Sequence, residues 1–169
     1  MRLLSGCVGD NRQLKILHFN DVYELESAER EPVGGAARFS TLIKMLEEDP
    51  SYARAMLICS GDFVGPSMIS NVTKGRHMVD ILNILGVDFG CIGNHEFDFG
   101  VKNLEQRLDD SQAIWLLSNI SRPGTNESVS GTCKHLLTRW NGVRVGRSYS
   151  RFKEQYFDQL SIHPHRQVS

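Results

Sequence analysis

The feature that most constrains the fold of this chain is a regular alternation of short apolar runs and amphipathic stretches. The apolar runs predict strands at 14–19, 55–59, 87–92 and 114–117. The amphipathic stretches repeat their apolar residues at helical spacing, which predicts helices at 36–46, 76–85 and 101–108 and leaves a hairpin at 140–146. Strands and helices that alternate in this order predict an α/β layered fold, with mostly parallel strands buried on both faces.

Polar residues follow the first three predicted strands directly. Asp21 comes after the first strand, Asp62 after the second, and Asn94 with His95 after the third. A single Asp at such a place is usually a turn or helix-capping residue. Parallel strands, however, bring their carboxyl ends to one edge of the sheet, where ligands bind. The combination therefore favours a functional site, in which oxygen donors and an imidazole from distant segments surround a metal ion.

Three segments resemble the first three motifs of the calcineurin-like metallophosphoesterase superfamily, in their 5'-nucleotidase form. They are HFND (18–21), SGDFVGPS (60–67) and GNHEFDFG (93–100). The resemblance extends from about residue 14 to residue 146 and includes GGAARFSTLI (34–43) and WNGVRVG (140–146). It implies a layered α/β sandwich with mostly parallel strands.

The resemblance also implies roles for five residues. Asp21 would bind one metal ion, Asp62 would bridge two, and Asn94 would bind the second through its amide oxygen. His95 would stabilise the transition state or protonate the leaving group, and Asp98 would orient it. Two divalent cations, Mn, Zn or Fe, are therefore expected as cofactors, because such a pair can clamp a phosphoryl group and activate water.

Two departures from the family pattern concern the metal ligands. The family has Asp-x-His in its first motif, but Tyr23 stands at the His position here. A neutral phenol is a poor zinc ligand, and an ionised one suits a harder metal, so the metal identity stays open. The later Gly-His and Gly-His-x-His motifs are not found in the sequence. His163 and His165 imitate them only locally and are not expected to be ligands.

These departures predict a domain that is incomplete at its C-terminus. The length of 169 residues suits one domain. We expect an N-terminal tail (1–13), a partial metallophosphoesterase domain (14–146) and a divergent C-terminal tail (147–169). The last segment carries aromatic and apolar residues at helical spacing, which are Tyr149, Phe152, Tyr156 and Leu160.

Composition argues against several other classes of protein. The formal net charge is −1, without the basic excess of proteins that bind nucleic acid or anionic membranes. No run approaches the roughly 18 apolar residues of a membrane span, and no apolar leader of about 7–15 residues is seen, so a cytoplasmic location is expected. The cysteines lack a CxxC pair, which argues against a disulfide framework or a zinc–thiolate site. Three histidines without an evident partner are taken as structural, namely His18 in a strand, His77 near a helix start and His135 in a loop.

Three functions remain open at this point. The first is a metal-dependent hydrolase of phosphomonoesters such as nucleoside 5'-monophosphates, whose partner is a small phosphorylated substrate. The second is an inactive truncated fragment that acts at most as a metal-binding or interaction module. The third is a phosphodiesterase that acts on cyclic nucleotides, because the same kind of metal centre serves both reactions.

Overall fold

The fold is described from a computed structural model, which covers residues 2–8, 12–52, 54–125, 127–148 and 161–162. A one-turn 3₁₀ helix lies at His95–Phe97. In chain order the strands and helices are β1 (Arg2–Val8), β2 (Arg12–Phe19), α1 (Ala36–Glu48), β3 (Met56–Cys59), α2 (Met68–Thr73), α3 (Arg76–Leu85), β4 (Phe89–Cys91), α4 (Val101–Asp110), β5 (Ile114–Leu116), β6 (Ile120–Ser121), β7 (Thr132–Cys133), β8 (His135–Trp140), β9 (Val143–Ser148) and β10 (Ser161–Ile162).

A six-stranded sheet forms the centre of the molecule, in the order β1-β2-β3-β4-β5-β7. In this sheet β2, β3, β4, β5 and β7 pair in parallel, and β1 pairs with β2 antiparallel. Helices lie in the connections from β2 to β3, from β3 to β4 and from β4 to β5, as is usual for parallel crossovers, whereas the connection from β5 to β7 contains β6. The prediction of an α/β fold with mostly parallel strands is therefore confirmed.

The register of the sheet aligns the carboxyl ends of the strands that precede the polar motifs. Phe19 at the end of β2 pairs with Cys59 at the end of β3. Cys59 in turn pairs with Gly90 of β4, and Gly90 pairs with Trp115 of β5. The loops that follow β2, β3 and β4 consequently leave the sheet side by side.

Most predicted elements are found, with small shifts at their ends. The helix predicted at 76–85 has those bounds in α3, and α1 is two residues longer than predicted. The predicted hairpin is the β8–β9 pair, and its strands begin at His135 and end at Ser148. His135 was expected in a loop, and this was wrong, because it begins β8.

Other features differ from the expectation or lie outside it. Helix α2 was not predicted, because its six residues lack a clear apolar period; the Ser67 side chain caps it by accepting from Ser70 N at 3.0 Å. Residues 2–8, expected in an N-terminal tail, form β1. The helical spacing over 149–160 and the residues His163 and His165 lie outside the described residues. The domain boundaries themselves stay a prediction.

The core beneath the sheet edge is packed around Trp115, which is only 1% exposed. Its ring lies 4.9 Å from the ring of Phe63, which belongs to the second motif loop. A Cβ atom at Gly90 would lie 2.2 Å from a Trp115 ring carbon, so β4 can pass the indole only because residue 90 is glycine. This packing fixes the strands whose ends carry the candidate site. Within the described part of the chain, no helix is both long enough and apolar enough to cross a membrane.

Candidate metal centre

The loop after β2 is joined to the loop after β3 by backbone hydrogen bonds. Asp21 N donates to Gly61 O at 3.3 Å, and Val22 N donates to Asp62 O at 3.2 Å. Both Asp21 and Asp62 adopt a left-handed backbone with φ of 56°, which is uncommon for residues other than glycine. Strained backbone of this kind is concentrated at functional sites, where the surrounding structure holds it in place.

The loop after β3 is joined as closely to the loop after β4. The amide of His95 donates to Oδ1 of Asp62 at 3.0 Å. A Cβ atom at Gly93 would lie 2.2 Å from that same Oδ1, and one at Gly61 would lie 2.6 Å from Gly93 N. These glycines are therefore required so that the Asp62 carboxylate can lie directly against the turn that carries Asn94 and His95.

A buried carboxylate that sequence reasoning missed, Glu96, organises both loops. It is fully buried, and its two oxygens accept four backbone N–H groups. The donors are Asp62 N at 2.8 Å, Phe63 N at 2.7 Å, Val64 N at 3.2 Å and Gly93 N at 2.5 Å. Burial raises the pKa of Glu96, and the N–H donors act in the opposite direction. The signal in the sequence was a carboxylate inside a glycine-rich turn, where many backbone N–H groups need an acceptor.

His95 and Asp98 form a hydrogen-bonded pair at the edge of the site. Nδ1 of His95 lies 2.7 Å from Oδ2 of Asp98, and the two side chains are 30% and 38% exposed. A carboxylate on one ring nitrogen fixes the orientation of the imidazole and leaves Nε2 for other partners. This is the contact that the resemblance implied, and the catalytic role of the pair stays a prediction.

Tyr23 lies between the first and third loops. Its hydroxyl donates to Oδ1 of Asp21 at 2.7 Å, and its ring meets the His95 ring edge-to-face with centroids 5.8 Å apart. Burial and the hydrogen bond to Asp21 raise the pKa of Tyr23 above its ordinary value. The phenol hydroxyl is therefore a hydrogen-bond donor to Asp21 in this arrangement. The second oxygen of Asp21 accepts from the side-chain amide of Asn20.

The side chains expected to hold metal ions are two carboxylates and one amide. The side chain of Asn94 makes no capping hydrogen bond to the 3₁₀ helix that it precedes. In the described residues, no group of three or more His, Cys, Asp and Glu side chains that could hold a metal ion is found. Carboxylate and amide oxygens suit hard divalent cations, so Asp21, Asp62 and Asn94 fit a partial site for such an ion.

The histidines assigned to structure contact other parts of the chain. Nε2 of His18 lies 2.6 Å from the hydroxyl of Ser60, which ties β2 to the loop after β3. Nδ1 of His77 in α3 lies 2.7 Å from the hydroxyl of Thr73, the last residue of α2. These contacts agree with structural roles for both residues.

Comparison with known proteins agrees with the geometry. Residues 14–166 match the calcineurin-like phosphoesterase family. The chain is 34% identical over 143 residues to the snake venom 5'-nucleotidase of Gloydius brevicauda, which covers 79% of this chain. Among solved structures, it resembles a 5'-nucleotidase precursor from Thermus thermophilus (TM-score 0.75, 20% identity) and the NAD nucleotidase of Haemophilus influenzae (TM-score 0.76, 17% identity). Both solved structures match 89% of this chain, and at these identities they bear on the fold alone.

The matched region is a small part of each relative. The chain spans 24% of the Gloydius protein, 32% of the Thermus chain and 29% of the Haemophilus chain. Calcineurin-like phosphoesterases use a dinuclear metal centre.

Proposed function

This chain belongs to the calcineurin-like phosphoesterase family, in its 5'-nucleotidase type, and we propose that it hydrolyses nucleoside 5'-monophosphates with two divalent metal ions. The observation that carries the proposal is the hydrogen bond from His95 N to Oδ1 of Asp62. It joins the residue expected to bridge the metal ions to the residue expected to act on the phosphoryl group. Glu96 holds the backbone of both residues' loops in this relation.

The side chains divide the chemical work between them. Asp21, Asp62 and Asn94 would hold the cations, which supply a polarised phosphoryl group and an activated water when bound. His95, oriented through Nδ1 by Asp98, would donate from Nε2 to a phosphoryl oxygen or to the leaving oxygen. A protonated imidazole at that place reduces the negative charge that develops as the ester bond breaks.

The choice of substrate follows from the relatives. The Gloydius and Thermus proteins are named 5'-nucleotidases, and the Haemophilus protein is named an NAD nucleotidase. A small nucleotide is therefore the substrate class that we propose for this chain. Absence of nucleic-acid binding and a cytoplasmic location remain predictions.

Activity measurements on purified protein test the proposal. Hydrolysis of AMP and p-nitrophenyl phosphate would be followed with added Mn²⁺ for this chain and for the longest natural chain that contains it. Asp62→Ala should abolish hydrolysis, and Asp109→Ala, on the exposed surface of α4, should leave it unchanged. Activity in the longer chain alone would support the interpretation of these residues as a non-catalytic fragment. Inactivity of both chains towards both esters would overturn the proposal.

A further inference from the structure

We propose that Tyr23 is a positioning residue of the metal centre, whose hydroxyl fixes the Asp21 carboxylate and whose ring supports the His95 imidazole. The inference rests on the proposed function, because it concerns how two residues of that site are held. The family pattern has a histidine ligand at this position. This chain would therefore have a residue that supports ligands where the family pattern has a ligand.

The hydroxyl of Tyr23 acts on the most exposed of the expected metal ligands. Asp21 is exposed, so its carboxylate would rotate freely without partners. Tyr23 donates to Oδ1 at 2.7 Å, and Asn20 donates to Oδ2. Each oxygen still has a lone pair for a cation, since a carboxylate has about four acceptor positions. Two donors on opposite oxygens thus fix the carboxylate plane before a metal ion arrives.

The ring of Tyr23 also contacts the imidazole of His95. The two rings lie 5.8 Å apart at 78°, an edge-to-face arrangement within the favourable range for aromatic pairs. Asp98 holds Nδ1 of the same imidazole at 2.7 Å. Tyr23 consequently links the first motif loop to the third through one side chain, in addition to the backbone bonds between neighbouring loops.

This arrangement also affects which metal ion the site prefers. The hydroxyl of Tyr23 is engaged as a hydrogen-bond donor to Oδ1 of Asp21, and a phenol hydroxyl is a poor metal ligand. Among the described residues, those expected to bind metal would then offer only oxygen ligands to the ion at Asp21. Such a set favours Mn²⁺ relative to Zn²⁺ more than the Asp-x-His pattern does.

Four forms of the longest natural chain containing these residues separate the possibilities: wild type, Tyr23→Phe, Tyr23→His and the control Tyr52→Phe. Tyr52 lies outside the site, where its ring faces Lys15. Mn²⁺ and Zn²⁺ affinities would be measured by calorimetry, and AMP hydrolysis would be measured in parallel. Loss of a hydrogen bond that orients a metal ligand typically weakens metal binding by about 10- to 100-fold. We expect Tyr23→Phe to bind Mn²⁺ about 10- to 100-fold more weakly than the wild type, and Tyr52→Phe to bind it with wild-type affinity.

Two further measurements distinguish support from coordination. Tyr23→His should raise the affinity for Zn²⁺ relative to Mn²⁺ by about tenfold, because it restores an imidazole ligand. Tyr23→Leu should shift the NMR signals of the His95 ring protons, whereas Tyr23→Phe, which keeps the ring, should not. A visible phenolate-to-iron absorption with Fe³⁺ that disappears in Tyr23→Phe would overturn the inference, because it would show coordination.

The outcomes keep the inference distinct from the proposed function. One outcome is that the wild type binds Mn²⁺ and hydrolyses AMP while Tyr23→Phe has the same Mn²⁺ affinity and the same rate of AMP hydrolysis as Tyr52→Phe. In that case the inference about Tyr23 is wrong and the proposed function stands. If the wild type neither binds Mn²⁺ nor hydrolyses AMP, the proposed function fails and the inference fails with it.

Discussion

Replacing Glu96 with glutamine tests whether one buried carboxylate holds the two central motif loops together. The substitution keeps the volume and shape of the side chain but replaces one oxygen with an NH₂ group. Oε1 accepts from Phe63 N and Val64 N, and Oε2 accepts from Asp62 N and Gly93 N. Whichever oxygen is replaced, two backbone N–H groups lose their acceptor and face another donor.

The size of the effect follows from this count. A buried donor left without a partner costs about 1–3 kcal/mol, so two cost about 2–6 kcal/mol. The change also removes a buried negative charge, and with it the cost of desolvating that charge and its repulsion by Asp62. These two gains offset part of the loss. We therefore expect a net destabilisation of about 2–4 kcal/mol, which is a large share of the roughly 5–15 kcal/mol that stabilises a typical domain.

Urea denaturation followed by tryptophan fluorescence measures this loss directly, because Trp115 is packed against Phe63 of the affected loop. With a slope of about 2 kcal/mol per molar urea, the midpoint should fall by about 1–2 M. The matched control is Glu47→Gln, the same change at an exposed position of α1. A loss smaller than about 1 kcal/mol relative to that control would refute the reasoning, since two orphaned donors cannot cost so little.

Three other predictions follow from the same contacts. Asp98→Asn should lower kcat for AMP by about 10- to 100-fold and leave Mn²⁺ affinity unchanged, because it removes the carboxylate charge that orients His95. A loss of Mn²⁺ affinity that is absent from the exposed Asp80→Asn control would contradict this role. Trp115→Ala should lower the free energy of unfolding in urea by about 3–5 kcal/mol, because it leaves a cavity against Phe63 and Gly90. A smaller loss than that caused by Trp140→Ala, at a half-buried position, would contradict this prediction. Burial raises the pKa of Cys91 to about 12 and that of Cys59 above its ordinary range. In a Cys7→Ser background, a thiol reagent should therefore label the exposed Cys133 in the folded chain, and Cys59 and Cys91 only after unfolding. Rapid labelling of all three thiols in the folded chain would refute this burial.

The sequence alone was sufficient for the α/β fold and for placing the three motif loops side by side at one edge of the sheet. Apolar period is a local property, so helix α3 could be predicted with its observed bounds, Arg76–Leu85. Asp21, Asp62 and Asn94 could be assigned to one edge of the sheet because parallel strands, once recognised, bring their carboxyl ends together. No knowledge of side-chain contacts was needed for either conclusion.

Only the tertiary structure decided how those residues are held. Glu96 is recognised as the common acceptor of two loops only when N–H donors from residues more than 30 positions apart meet around it. Tyr23 occupied a ligand position in the motif, but the fold places its hydroxyl on Asp21 and its ring on His95. Strand β1 depends likewise on its pairing with β2. The physical reason is that periodicity and turn chemistry act within a few residues, whereas hydrogen bonds between loops exist only after the chain has brought those loops together.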